Sequence, residues 1–147
     1  MKEYFDKLYK GTLEGFSNIL LDKLKKNEKA FVVTANPETL MIGEKNSEFR
    51  EILLSERTTI TADGIGVVKG AQMLGYSIKE RVTGVDIVKK LFCNADKEKK
   101  SLYLFGAKPE VVRKLAEKIT EEYRGIRLLG YTDGYVQDKD EEFSKIV

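Results

Sequence analysis

Four short apolar runs, each followed by small polar residues and then by a segment with helical periodicity, most constrain the fold of this chain. The runs span residues 30–35, 58–62, 101–106 and 126–131. An apolar run without strict alternation is typical of a parallel strand covered on both faces. Strands that alternate with helices predict right-handed βαβ units. We therefore expect an α/β fold: a Rossmann-like, doubly wound and mostly parallel sheet flanked by helices.

The segments between these runs carry recognisable helix signals. The predicted helix starts share a capping residue or an initial proline, and they are Thr12, Asn36 with Pro37, Thr83 with Asp86, and Pro109. Further helical stretches are expected at 46–56, from about Gly66, and at the end of the chain, in 138–147. Because Cys93 lies in an apolar helical run, we expect it to be a buried side chain and not a nucleophile.

Length and composition favour one globular domain over residues 1–147. The chain has 26 Lys and Arg against 24 Asp and Glu, a net charge of +2, which argues against nucleic acid as its partner. Its single cysteine excludes an internal disulfide framework and fits a reducing compartment. No stretch approaches the ~18 consecutive apolar residues of a membrane span. We expect an intracellular protein.

The chain contains no histidine. This excludes Ser–His and Cys–His nucleophile pairs, histidine-ligated zinc and imidazole as a general base. Acid–base chemistry near pH 7 would therefore depend on carboxylates, Lys, Tyr or Cys.

Small polar residues follow each predicted strand, at 34–36, 63–66, 106–107 and 130–134. In open α/β sheets the ligand lies beyond the carboxyl ends of the strands. We therefore expect these residues, Gly106 among them, to line one cleft.

The stretch "DGIGVVKG" (63–70) supplies the clearest candidates for chemistry. A carboxylate at the end of a buried strand, such as Asp63, is partly desolvated, which favours its accepting a proton. The glycines that follow, Gly64 first, would let backbone N–H groups approach a phosphate closely. Their spacing is one residue longer than the dinucleotide motif, and Asp-Gly is also a common turn with glycines that permit close helix packing.

Other polar residues have two interpretations each. Arg81 offers a forked donor to a diphosphate, or is a solvated surface residue. Thr34 and Asn36 are explained most economically as turn and cap formers. Asp138 and Asp140 resemble a metal-binding pair, but acidic residues also favour a helix start, and we set the metal aside.

The ordered set "TANPETL", "ADGIGVV", "KERVTGVDIV", "LYLFGAKPEVV" and "LGYTDGYV" resembles the WecG/TagA/CpsF family of glycosyltransferases from about residue 30 to 136. The resemblance implies transfer of N-acetylmannosamine from its UDP donor to the 4-hydroxyl of a polyprenyl-diphosphate-linked N-acetylglucosamine. The transfer would invert the anomeric centre, without metal or cofactor, in the synthesis of teichoic acid or a related surface polymer.

The resemblance also implies roles for individual residues. The position of Asp63 is that of the family's proposed base, Thr34 and Asn36 would line the donor pocket, and Arg81 would contact the diphosphate. The protein would then be cytoplasmic and peripheral at the inner face of the membrane, where the lipid-linked acceptor lies.

The family pattern continues beyond Val147, with a further strand, an active-site glutamine and a basic appendage linked to membrane docking. We therefore expect a chain that is truncated relative to the family, with an uncovered sheet edge or apolar patch that pairing between copies would cover.

Two other functions stay open. One is a nucleotide-sugar-binding core without catalysis, which needs the C-terminal segment for activity. The other is a nicotinamide-dependent oxidoreductase, which would need an acidic ribose-binding residue about 20 positions beyond the glycines. Asp86 has that spacing, but it lies at a predicted helix start.

Overall fold

The computed structural model describes residues 1–135. The chain divides into two compact units, Met1–Leu91 and Phe92–Val147. The expectation that residues 1–147 form one domain stays a prediction, and each unit is described by itself.

The strands lie close to the four predicted runs. They are β1 (Phe31–Ala35) and β2 (Thr58–Ala62) in the first unit, and β3 (Ser101–Phe105) and β4 (Arg127–Thr132) in the second. β1 pairs with β2 and β3 with β4, both in parallel. The expected α/β class with parallel strands is confirmed. Within residues 1–135 the strand hydrogen bonds form two two-stranded sheets.

Seven helices occur in residues 1–135. They are α1 (Lys2–Lys7), α2 (Leu13–Lys26), α3 (Pro37–Lys45), α4 (Ser47–Leu54), α5 (Ile65–Met73), α6 (Gly84–Lys97) and α7 (Pro109–Glu122). None of these seven is both long and apolar enough to cross a bilayer. The helix predicted in 138–147 lies outside the described residues.

The predicted helix starts are confirmed. Thr12 caps α2 by accepting a hydrogen bond from the Gly15 N–H at 3.1 Å. α3 and α7 each begin with the predicted proline. At α6, the Asp86 N–H donates to Thr83 Oγ1 at 3.2 Å, and the Thr83 hydroxyl donates to Asp86 Oδ2 at 2.6 Å. Local side-chain chemistry therefore determines where these helices begin.

The β1–β2 sheet has apolar side chains against both faces. One face contributes Ala35, Ile60 and Ala62 to a cluster with residues of α1, α4 and α5. Val32, on the other face, packs against a cluster of Phe16, Leu20, Val82 and Ile87. The unalternating apolar pattern of these strands thus has the expected physical cause.

The sequence pattern did not predict α1, because charged residues surround its apolar ones. Tyr4, Phe5 and Leu8 are nevertheless buried, with 0%, 7% and 4% of their surfaces exposed. Leu8 also forms an isolated parallel bridge with Ile60, and the Tyr9 N–H donates to the Ile60 carbonyl at 2.8 Å. The N-terminal segment therefore covers part of β2.

The second unit has a smaller core of Ala95, Ile119 and Ile126, with Leu102 and Leu104 packed against it. The prediction that Cys93 is buried is wrong, because its side chain is exposed. In α6 the buried positions Ile87 and Ala95 are eight residues apart and share one face, and Cys93 falls on another.

Candidate active site

The carboxyl ends of β1 and β2 lie side by side and bring the polar residues that follow them together. Thr34 is in register with Thr61, and Ala35 with Ala62. The ladder continues one step, since the Asp63 N–H donates to the Ala35 carbonyl at 3.0 Å. Side chains two residues apart on a strand point to the same face, so Asp63 shares a face with Thr61 and Thr34.

The side chains of Thr34 and Asp63 meet at the first residue of α6. The Gly84 N–H donates to Asp63 Oδ2 at 3.1 Å, and this hydrogen bond is partly buried. A Cβ atom at Gly84 would lie 3.1 Å from Thr34 Oγ1 and 3.5 Å from Asp63 Oδ2. The structure therefore brings Thr34 and Asp63 together, as the sequence predicts.

The Asp63 side chain does more than form a local Asp-Gly turn. Its carboxylate joins the end of β2 to a residue 21 positions further along the chain. The turn interpretation alone therefore does not account for Asp63.

The backbone of Arg81 is held near the end of β2, because the next residue, Val82, is hydrogen-bonded to that strand. The Val82 N–H donates to the Ala62 carbonyl at 3.1 Å, and Val82 is 1% exposed. Arg81 itself is exposed. A guanidinium on a fixed backbone with an exposed side chain can reach an anionic ligand at this edge.

Asn36 and the glycines after Asp63 form the adjoining loops. Asn36 Oδ1 accepts hydrogen bonds from the Thr39 N–H at 2.8 Å and the Thr39 hydroxyl at 2.9 Å, so the predicted cap is confirmed. A Cβ atom at Gly64 would lie 3.3 Å from Pro37 Cδ, and one at Gly66 only 2.9 Å from Pro37 Cγ. These glycines therefore allow the starts of α3 and α5 to pack closely.

Gly106 lies in the second unit, at the end of β3. Its φ is +110°, a conformation that favours glycine, and its N–H donates to the Thr132 carbonyl at 2.9 Å. The Gly134 N–H donates to the Ala107 carbonyl at 2.9 Å. The polar residues at 106–107 and 130–134 are therefore brought together, and their sharing a cleft with Asp63 stays a prediction.

Within residues 1–135, no group of three His, Cys, Asp or Glu side chains is arranged to hold a metal ion. Asp138 and Asp140 lie outside that range. Asp86, the residue required by the oxidoreductase hypothesis, is engaged with Thr83 at the start of α6. It therefore serves the helix start and does not follow a strand.

Gly84 is a site residue that sequence reasoning missed. Its signal in "KERVTGVDIV" was available, because glycine is a weak helix former and this one stands at the start of a predicted helix. Only the folded chain reveals that Gly84 lies against Thr34 and Asp63.

Comparison with known proteins gives a consistent result. The family model "Glycosyl transferase WecG/TagA/CpsF family" matches residues 6–147. Three similar proteins are each named N-acetylglucosaminyldiphosphoundecaprenol N-acetyl-beta-D-mannosaminyltransferase.

These relatives come from three species. The Bacillus spizizenii protein is 37% identical over 123 residues, which cover 84% of this chain and 48% of the relative. The Bacillus subtilis protein is 38% identical over 110 residues, which cover 75% of this chain and 43% of the relative. The Staphylococcus aureus protein (strain NCTC 8325 / PS 47) is 30% identical over 115 residues, which cover 78% of this chain and 44% of the relative. The chain thus spans about half the length of the curated relatives it matches.

Proposed function

The chain belongs to the WecG/TagA/CpsF family of glycosyl transferases, and from this premise we propose that it is an inverting, metal-independent N-acetylmannosaminyltransferase. Its donor would be UDP-N-acetylmannosamine, and its acceptor polyprenyl-diphosphate-linked N-acetylglucosamine, in teichoic acid or related surface-polymer synthesis. The observation that carries the proposal is the meeting of Thr34, Asp63 and the start of α6 at one strand edge. The names of the relatives support the sugars and the lipid.

The proposed reaction is a single displacement. The 4-hydroxyl oxygen of the acceptor attacks the anomeric carbon of N-acetylmannosamine, and the bond from that carbon to the UDP oxygen breaks. The bonding pair leaves with UDP, and Asp63 takes the hydroxyl proton. Attack opposite the leaving group inverts the anomeric centre. One positioned base suffices for this chemistry, and with no histidine in the chain a carboxylate is a suitable choice.

The departing UDP gains negative charge as the bond breaks, and this charge must be stabilised. Arg81 is proposed to contact the diphosphate, since it is exposed and its neighbour Val82 is hydrogen-bonded to the end of β2. The first N–H groups of α5, which begins at Ile65 after Gly64, are a second source of stabilisation. Thr34 and Asn36 would line the donor pocket.

The acceptor is carried by a lipid, so the reaction would take place at the cytoplasmic surface of a membrane. The proposed protein is therefore peripheral there, and pairing between copies stays a prediction. No nucleic-acid partner is proposed, because the charge of the chain is nearly balanced.

The test is an assay with UDP-N-acetylmannosamine and a lipid-diphosphate N-acetylglucosamine analogue. The measurements are UDP release and the anomeric configuration of the product by NMR. We expect Asp63→Asn to lower turnover by about 10²- to 10⁴-fold, the usual contribution of a general base. Asp22→Asn is the matched control, because Asp22 lies exposed in α2, where it pairs with Lys26. Normal turnover by Asp63→Asn, or a product with retained configuration, would contradict the proposal.

A second candidate is a nucleotide-sugar-binding core without catalysis of its own. The observation that favours it is that the chain spans about half the length of its relatives. It predicts UDP binding by calorimetry without turnover. Turnover would then appear only when the C-terminal part of a relative is supplied in the assay.

A further inference from the structure

The segment before α6 is attached to the end of β2 at two points. The first is the hydrogen bond from the Val82 N–H to the Ala62 carbonyl, with the Val82 side chain buried among Phe16, Leu20 and Ile87. The second is the hydrogen bond from the Gly84 N–H to Asp63 Oδ2. Between them, Thr83 is held by its exchange of hydrogen bonds with Asp86. The Gly84 N–H therefore has little freedom to turn away from Asp63.

Gly84 is the first residue of a 14-residue helix. The N–H groups of a first helical turn have no partner within the helix, and they carry the positive end of its dipole. The Asp63 carboxylate thus accepts a hydrogen bond from the Gly84 N–H, and the positive end of the α6 dipole favours its negative charge. Within residues 1–135 this is the hydrogen bond found for the Asp63 carboxylate, and it occupies Oδ2.

Space, not backbone conformation, accounts for glycine at position 84. Its φ lies outside the positive range in which glycine is favoured. A Cβ atom there would lie 3.1 Å from Thr34 Oγ1 and 3.3 Å from Thr34 Cγ2, closer than ordinary van der Waals contact. A side chain at position 84 would therefore require Thr34 or the start of α6 to move by a few tenths of an ångström, whereas its 3.5 Å contact with Asp63 Oδ2 would be ordinary.

We propose that Gly84 is a positioning residue for the transfer reaction. Its N–H holds Asp63 Oδ2 and leaves Oδ1 to take the proton from the acceptor hydroxyl. Its missing side chain lets the start of α6 close on Thr34. This inference rests on the proposed function, because it gives Gly84 a task only if Asp63 is the base.

Two substitutions separate the role of the Gly84 N–H from the role of the space beside Thr34. Gly84→Ala keeps the N–H and adds a methyl group beside Thr34. Gly84→Pro also removes the N–H, at a first helical position where proline suits the helix. Loss of a hydrogen bond to a charged group corresponds to about 10- to 100-fold in rate. We expect Gly84→Pro to lower kcat by that factor relative to Gly84→Ala, with the KM for the UDP donor changed much less.

The matched control is Ser47→Pro. Ser47 is exposed and is the first residue of α4, so this change also places a proline at a first helical position. We expect its kcat and KM to match the unsubstituted chain. The assay uses the whole chain, together with the C-terminal part of a relative if turnover requires it.

The Gly84 amide resonance supplies a readout that is independent of activity. A hydrogen bond to a carboxylate moves an amide proton downfield, and we expect this signal to move upfield in Asp63→Ala more than the signals of neighbouring residues. An unmoved signal would overturn the proposal.

The kinetic outcomes separate the two proposals. If Asp63→Asn abolishes turnover and Gly84→Pro matches Gly84→Ala, the positioning role is wrong and the base assignment stands. If Asp63→Asn turns over normally, the base assignment has failed, and the role of Gly84 fails with it. A large loss in Gly84→Pro together with the amide shift supports both.

Discussion

The two parallel strand pairs of this protein differ in how their faces are covered. In the first unit, β2 is buried at four of its five residues, and Ile60 and Thr61 are fully inaccessible. In the second unit, β3 and β4 alternate between exposed and half-buried residues, and Phe105 is 53% exposed. Similar apolar runs therefore lie in different environments.

This difference explains why the candidate chemistry is concentrated in the first unit. A strand packed on both faces carries its last polar residues into a partly desolvated site, where a hydrogen bond to Asp63 is worth more than in water. Thr61 has a fully buried hydroxyl for which no partner is found within residues 1–135. At the end of β3, Gly106 has a φ of +110° and instead continues the hydrogen bonding to β4 through the Thr132 carbonyl.

The largest expected effect comes from the buried strand. The Ile60 side chain is 0% exposed, so Ile60→Ala would leave a cavity in the core. We expect the free energy of unfolding to fall by about 2–5 kcal/mol. Phe105→Ala, the matched change in the half-covered strand, should lower it by only about 1 kcal/mol, because about half of the Phe105 side chain is already exposed. Urea unfolding measures both, and equal losses would break the comparison between the two sheets.

The second prediction concerns the cap beside the site. Asn36→Ala removes the acceptor for two Thr39 hydrogen bonds and should cost about 0.5–2 kcal/mol of stability. Asn36→Asp keeps an acceptor oxygen and should preserve stability. If Asn36→Asp is as stable as the unsubstituted chain but binds UDP-N-acetylmannosamine more weakly by calorimetry, Asn36 serves both the cap and the donor pocket. Unchanged binding would leave it as a cap only.

The third prediction is a gain of stability in the second unit. Lys108 is the N-cap residue of α7, and no side-chain cap is found there among the described residues. Lys108→Asp would supply an acceptor and a negative charge at the helix start, and we expect about 0.5–1 kcal/mol of stabilisation, read as a higher Tm. Lys114→Asp, further along the same helix, controls for the change of charge. A Tm that rises equally in both variants would point to charge and not to capping.

The last prediction concerns the dependence of stability on pH. Burial raises the pKa of the Tyr4 phenol above its usual value near 10. The unfolded chain therefore loses this proton first as the pH rises, and the stability that neutral Tyr4 contributes below pH 10 is lost above it. Tyr4→Phe should be destabilised by less than about 1.5 kcal/mol at pH 7 and should lose less stability between pH 9 and 11. Parallel alkaline unfolding curves for the two proteins would contradict this.

Much of the fold was predictable because its signals are local. Thr12, Asn36 and Thr83 each form the cap that the sequence indicates, and Pro37 and Pro109 begin their helices. Helix α1 was not predictable in this way, since its burial depends on the surface of β2 and not on its own charged neighbours. The prediction that Cys93 is buried was wrong for a related reason. Periodicity indicates that a helix has an apolar face, but only packing determines which of its residues are buried.

The candidate site shows the same division. Thr34, Asn36, Asp63, Gly64 and Arg81 were all predicted from strand ends and a family resemblance that the family model confirms. Gly84 was not, because its importance comes from what a side chain there would meet.

The strand runs, the helix caps and the family could be inferred without a structure, since each depends on neighbouring residues or on an ordered set of motifs. The folded chain was needed to show that one strand pair is covered on both faces, and that Thr34, Asp63 and Gly84 meet. Parallel pairing joins residues about 27 positions apart, as between Thr34 and Thr61. Contacts at that separation depend on the packing of the whole unit, which no local pattern records.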